Sequence, residues 1–355
     1  MIEILSNGAS NLVEDLGRPA HVGIGVSAGG AMDASALSLA NCMVGNDETS
    51  AGIEISTFPF RIKLHQDTYF ACTGAATSVT LPHRNLPSWW AAQARAGDVL
   101  KVEAPTHGAR AYLAFTGGVD VPLVLGSRST DLKGSFGGLE GRGLRKGDHL
   151  SLVQENSSGA AHTGPVGIAP DSRIQFASQL ASGTVRIRVM SGAEYRHFTE
   201  DAATAFELSE YRVTPDRNRQ GYRLEGVALK TRRTLDLLSH GIVPGTVHVP
   251  PAGQPIIQLA EANTCGGYPK IATVIEADLW RVAQLREGQR IRFELVDREA
   301  AVNALRELAR EHSRIQQGLE LMGRRREESL QAINPTKHRE KVLTAVLTPS
   351  RSRSP

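Results

Sequence analysis

The stretch GIGVSAGGAMD, Gly23–Asp33, decides between two folds. Its centre, Gly25-Val26-Ser27-Ala28-Gly29, fits the G-x-S-x-G pattern of a nucleophile elbow, and the helix-like run ASALSLAN follows at once. An elbow of that kind needs a buried parallel strand before it, within an α/β-hydrolase sheet already under construction. Only 22 residues precede this one, and they read as one strand, IEIL, followed by a polar turn. Three small residues in five are easily met by chance in a chain with 35 glycines. Ser27 is therefore read as a loop residue, and the chain as something other than an α/β-hydrolase.

Outward from that point, short runs of β-formers recur between Gly, Pro and Asp: RIKLH, TYFACTG, SVTLP, VLKVEA, RAYLAFTGG, VRIRVMSG, YRLEG, TVHVP, IIQLA, IATVI and RIRFELV. Helical patterns before residue 297 are few, at ASALSLANCMVG, DAATAFEL and DLWRVAQL. Many strands with few helices predict a mainly β protein built of barrels or sandwiches. A small repeat, R-x-G-[DQ]-x-[LI], occurs at Arg95–Leu100, Arg145–Leu150 and Arg286–Ile291. Each copy reads as a tight turn whose Gly takes a positive φ before a strand begins, and the second and third copies lie near the ends of two candidate domains. The expected organisation is a β-barrel domain over residues 1–160 and a second over 173–297, joined through the Ser/Gly/Ala/Pro-rich stretch Glu155–Ser172. Beyond Val296, Val302, Leu305, Ala309, His312, Ile315, Leu319 and Met322 fall at helical spacing, predicting an amphipathic helix over 298–332. Residues 333–355 read as a disordered tail.

Composition bounds the function. Hydrophobic residues make up 41% and charged residues 22% of 355, and the formal net charge is +3, which calls for no nucleic-acid partner. No basic start with an apolar block opens the chain and no apolar run reaches membrane-spanning length, so a cytoplasmic protein without membrane contact is expected. Cys42, Cys72 and Cys265 form no C-x-x-C pair and are expected as reduced thiols. The sequence holds no G-x-x-x-x-G-K-[ST] loop and no H-E-x-x-H, and its eleven His show no ligand spacing, so no metal is expected.

Three segments combine Gly, Pro and charge in apolar surroundings: Gly126–Arg142, Pro215–Gly226 and His240–Ile275. Gly and Pro let backbone amides approach a ligand, while Arg, Lys and Gln offer donors to a carboxylate, phosphate or carbonyl oxygen. The candidate catalytic residues are Lys270 and Arg219. Gln254, Gly266, Gly267 and Tyr268 are expected to shape the pocket, with Arg128 and Asp131 as a second wall.

These segments, taken in order with VEDLGRPAHVGIGVSAGGAMD, LANCMVGN and FTGGVDVPLVLGSRSTDLKGSFGGLEGRGLRKGD, resemble the allophanate-hydrolase-subunit-2 family of biotin-dependent carboxyltransferase-type proteins over about residues 1 to 297. The family includes the subunit-C component of 5-oxoprolinase and the KipA protein. The resemblance implies two cyclophilin-like β-barrel domains and a subunit-B (KipI-like) partner that completes a shared site. A subunit-A-like (LamB/YcsF-type) component would complete an assembly that hydrolyses 5-oxoproline with ATP. In urea carboxylase relatives the equivalent domain moves a carboxyl group from carboxybiotin. No covalently bound cofactor is expected here, and ATP or carboxybiotin would be supplied through the complex. The substrate would be a small lactam, amide or urea-like molecule, and a KipA-like regulatory role is the alternative. Family members usually carry Pro at the position of Ser27. Two further departures are His240, where the family commonly has an acid, and Asn263, where it has Gln. The first changes a charge, and the second withdraws an amide by about one methylene, which is enough to break a buried hydrogen bond worth roughly 1–3 kcal/mol.

Overall fold

The computed structural model describes residues 1–153 and 164–333, with the backbone alone for 324–333. The strands of the first half lie in two antiparallel sheets. One runs in the order Val119–Asp120, His149–Leu152, Ile2–Ile4, Phe60–Leu64, Val99–Val102, Ser78–Leu81, Arg84–Pro87. The other runs Val166–Gly167, Trp90–Ala94, Thr68–Ala76, His107–Phe115, Gly52–Ile55, Leu12–Glu14. Strict alternation builds the first: in Phe60–Leu64 the apolar Phe60, Ile62 and Leu64 are buried while Arg61 and Lys63 turn outward. Ile2, Ile62 and Leu100 from one sheet and Ile53, Phe70 and Leu113 from the other share one core.

In the second half, seven strands close into a barrel: Thr184–Ser191, Lys270–Val274, Thr246–His248, Ile256–Gln258, Gly221–Glu225, Tyr211–Arg217 and Arg290–Leu295. The closing pair, Thr184–Ser191 with Arg290–Leu295, is parallel. Ile187, Val213, Tyr222, Ile257, Ile271 and Phe293 fill the core of this half. The helix Glu200–Leu208, whose N-terminus is capped by the Thr199 side chain, lays Phe206 flat on Phe293 at 4.4 Å between ring centres.

The repeated turn has one chemistry in all three copies. Gly97, Gly147 and Gly288 have φ of 91°, 92° and 82°. In each copy, the side chain of the residue after the Gly accepts a hydrogen bond from the backbone N–H of the opening Arg: Asp98 at 2.9 Å, Asp148 at 2.7 Å and Gln289 at 2.7 Å. That contact explains why Asp or Gln fills the position.

Two sequence expectations change in detail. Val166–Gly167, inside the stretch read as a linker, pairs with Trp90 and Ala91, and a helix follows at Asp171–Ser182. This helix buries only Phe176, which is too weak an apolar stripe to be read from sequence. The rest of the linker reading at 154–163, and the tail reading beyond Ile333, lie outside the described residues. The final helix, Arg298–Ile333, packs Ala304 against Ile275 and Ala277 and then sets Ile315 and Leu319 on Ala40, Met43 and Tyr69 of the first half. Val302, Leu305 and Met322 of the expected stripe stay partly exposed, because the small Ala304 selects the face that meets the barrel.

Phe293→Ala removes half of the stacked pair from a closed core and is expected to lower stability by about 3–5 kcal/mol. Chemical denaturation of the full chain checks this.

Candidate functional site

The strongest polar feature lies between the halves. Asn218 turns the chain by accepting the Gln220 N–H at 2.8 Å, and this aims the intervening side chain, Arg219, into the first half. Its guanidinium donates to Glu54 at 2.7 Å, to Glu261 at 2.6 Å and to the Gly30 carbonyl at 2.6 Å, and Glu14 lies 3.3 Å away. Arg219 is only 7% exposed. Glu54 also accepts from Tyr112 and from the Met32 N–H, each at 2.8 Å, and has Arg110 at 3.4 Å. Burial pushes the pKa of both Glu14 and Glu54 upward, but the outcomes differ. Glu14 is held well above the ordinary carboxylate range, with Arg219 pulling the other way. For Glu54, Arg219 and Arg110 outweigh burial and the net shift is downward. Two guanidinium charges thus face the carboxylates of Glu54 and Glu261 beside a Glu14 that favours its neutral form, so the buried charge is compensated. Beside this cluster, Gln284 bridges Asp33 and the backbone of Ala109 and Arg110, and Arg173 grips Asp33 with two hydrogen bonds.

The cleft lies on the barrel. It encloses about 960 Å³ and is lined by His248, Asn263, Cys265, Gly266, Gly267 and Tyr268, among others. Lys270 opens its strand next to Pro269, which lines the cleft, and is itself buried. Its backbone N–H donates to Glu194 at 2.9 Å, and its carbonyl passes so close to Gly192 that a Cβ there would lie 2.2 Å from it. The ammonium donates to the Gly266 carbonyl at 3.2 Å and to His240 Nε2 at 2.7 Å. His240 Nδ1 sits 3.1 Å from the Leu238 carbonyl, so the ring donates there and accepts from Lys270. The pairing of His240 and Gly241 with Gly266 and Cys265 carries this ring over Lys270. Burial lowers the Lys270 pKa, opposed by Glu194. His248 is pushed down to about 4, first by burial and then by the charge of Lys270, and its Nε2 is buried without a partner. Lys270, His240 and Glu194 form one polar group that adjoins the cleft through Gly266 and His248.

Of the residues expected from sequence, Asn263, Gly266, Gly267 and Tyr268 line the cleft, and Lys270 and His240 meet beside it at the Gly266 carbonyl. Lys133 of the first half reaches across to the Asn263 side chain. The others stand elsewhere. Arg219 is the buried clamp and does not line the cleft, because two acids and a carbonyl take its hydrogen bonds. Asp131 accepts from Ser27 Oγ at 3.1 Å and from the Gly134 N–H at 2.7 Å, organising its own loop. Arg128 donates to the Val121 carbonyl at 3.0 Å. Gln254 exchanges two hydrogen bonds with Gly226 and clips a loop. Ser27 has a carboxylate rather than a histidine as its partner, which agrees with the loop reading. Sequence reasoning misses Glu194 and His248. His248 lies inside the singled-out segment His240–Ile275, whereas Glu194 carries no local signal.

A family model described as "Carboxyltransferase domain, subdomain A and B" matches residues 24–295. The chain belongs to this family. It is 40% identical over 304 residues to the subunit-C component of 5-oxoprolinase from Escherichia coli, covering 86% of this chain and 94% of that protein. It is 32% identical over 302 residues to the urea amidolyase of Saccharomyces cerevisiae, covering 82% of this chain but 16% of that much longer protein. Among solved structures, the Kluyveromyces lactis urea carboxylase superposes with a TM-score of 0.79 at 29% identity, over 90% of this chain and 29% of that one. The barrel and the mainly β architecture of this carboxyltransferase-domain protein agree with these relatives. No helix among the described residues is long and apolar enough to cross a membrane.

Arg219→Ala strands its acids in a buried site and is expected to destabilise the chain by about 3–5 kcal/mol in urea denaturation. His248 gives a pH signature. Folded, it takes a proton at about 4, against an ordinary value of 6.5, so between these pH values the unfolded chain binds more protons and stability falls as pH drops. The loss is on the order of 3 kcal/mol by pH 4, and His248→Gln is expected to remove it from the pH dependence of unfolding.

Proposed function

We propose that this chain is part of a 5-oxoprolinase-type complex, and that the cleft beside Lys270 binds the carbonyl and carboxylate oxygens of a small lactam. The observation that carries this reading is the Lys270–His240–Glu194 grouping beside the neutral His248, on a chain 40% identical to the subunit-C component of a 5-oxoprolinase. When a ring amide is attacked, negative charge builds on its carbonyl oxygen, and a Lys ammonium fixed before the reaction stabilises that charge without reorganisation. The hydrogen bond from this ammonium to His240 Nε2, at 2.7 Å, helps fix its position. His248, neutral at physiological pH, offers one ring nitrogen to the substrate. Arg219 positions the barrel against the first half. Asn263, held by Lys133, forms the rim.

ATP chemistry is assigned to the partner proteins, of subunit-B (KipI-like) and subunit-A-like (LamB/YcsF-type) character, because the sequence has no phosphate loop. A second reading, transfer of a carboxyl group from carboxybiotin to a urea-like amide, is supported by the likeness to the Kluyveromyces lactis urea carboxylase. The test is ATP-dependent conversion of 5-oxoproline to glutamate by the chain co-expressed with both partners, with each omitted in turn. Turnover that needs all three supports the first reading. Turnover of a urea-like amide that is blocked by avidin would favour the second, and a stable complex with neither activity would favour a KipA-like regulator. In the active complex, Lys270→Met is expected to lower kcat at least about 100-fold while the far-ultraviolet circular dichroism is unchanged.

A further inference from the structure

Far from the cleft, three adjacent strands of the seven-stranded sheet bring two histidines and a glutamate to one point. Glu3 is at the centre of Ile2–Ile4, His149 opens His149–Leu152, and His65 directly follows Phe60–Leu64. Glu3 and His149 are direct partners in the antiparallel ladder, so both project from the outer face. His65 is anchored by its backbone N–H, which donates to the Met1 carbonyl at 3.0 Å. The His65 Nε2 lies 2.9 Å from a Glu3 oxygen, the two imidazole centres are 6.1 Å apart, and one ligand atom from each of the three residues lies within 4.8 Å of the others.

From this geometry we infer that Glu3, His65 and His149 form a surface site for a divalent transition-metal ion of zinc type. Tetrahedral zinc with bonds of about 2.0–2.1 Å holds its ligand atoms roughly 3.3 Å apart. The Glu3–His65 pair, at 2.9 Å, would open by a few tenths of an ångström to reach that spacing, and with the three ligand atoms within 4.8 Å of one another a rotation of the exposed His149 side chain completes the trio. Imidazole and carboxylate are the ligand types that suit this ion. Because the ligands come from two neighbouring strands and the residue that follows a third, the ion would tie the first strand to both neighbours and keep a fourth position open to water. Lys63 stands directly opposite Glu3 on the same face and is the cation that opposes binding.

The test is isothermal titration of the full-length chain with zinc chloride at pH 7.5, repeated with Co²⁺ to read the ligand field from its visible spectrum. One ion per chain is expected, with affinity falling at least about tenfold in His149→Ala and in His65→Ala. Lys63→Met is expected to tighten it by removing the opposing charge. Both histidines are exposed, so folding should survive, and circular dichroism verifies that it does. Because His240 and His248 lie close together beside Lys270, His240→Ala is titrated in parallel and should bind as the parent does. Absence of stoichiometric binding overturns the inference, as does undiminished binding in the His65→Ala/His149→Ala double variant.

Discussion

The buried guanidinium of Arg219 is the constraint on which the two halves depend. It leaves the barrel at a turn and satisfies its donors on Glu54 and Gly30 of the first half and Glu261 of the second. A buried pair of this kind adds little stability beyond what apolar side chains would supply, but it tolerates no misalignment, since each acid left unpaired is costly. Its effect is to fix orientation. Gln284 and Arg173 on Asp33 work in the same direction, and the final helix adds an apolar strap by leaving the barrel and seating Leu319 on the first half.

This fixed orientation matters for the cleft. Lys133 belongs to the first half, yet its ammonium meets Asn263 on the barrel's rim, so the cleft's edge is set by how the halves sit. Glu261 and Asn263 are two residues apart on one segment, one tied into the clamp and the other on the rim. The Lys270 group beside the cleft needs no such help. Its grouping is built by the barrel alone, from the strand it opens, the close approach of Gly192 and the short pairing that carries His240.

Much of this is legible in the sequence because it rests on local chemistry. Every quoted β-run forms a strand, the R-x-G-[DQ]-x-[LI] turns take the expected positive φ, and the dense Gly/Pro segment His240–Ile275 supplies much of the cleft. The expected residues that stand apart from the cleft share a cause. Arg219, Asp131 and Gln254 sit in the same kind of Gly-rich, charged loop as Lys270, and only tertiary contact decides whether a charge faces a ligand or another side chain. Glu194 is invisible for the converse reason, since it lies 76 positions from Lys270 and no local pattern marks it. The helix Asp171–Ser182 escapes notice because so little of it is buried.

The most direct test of the clamp is a double-mutant cycle between Arg219→Met and Glu261→Gln, read by urea denaturation of the full chain. A shared buried ion pair predicts coupling of about 1–3 kcal/mol, with the double variant more stable than the two single losses summed. Additivity within about 0.5 kcal/mol would contradict the role given to Arg219.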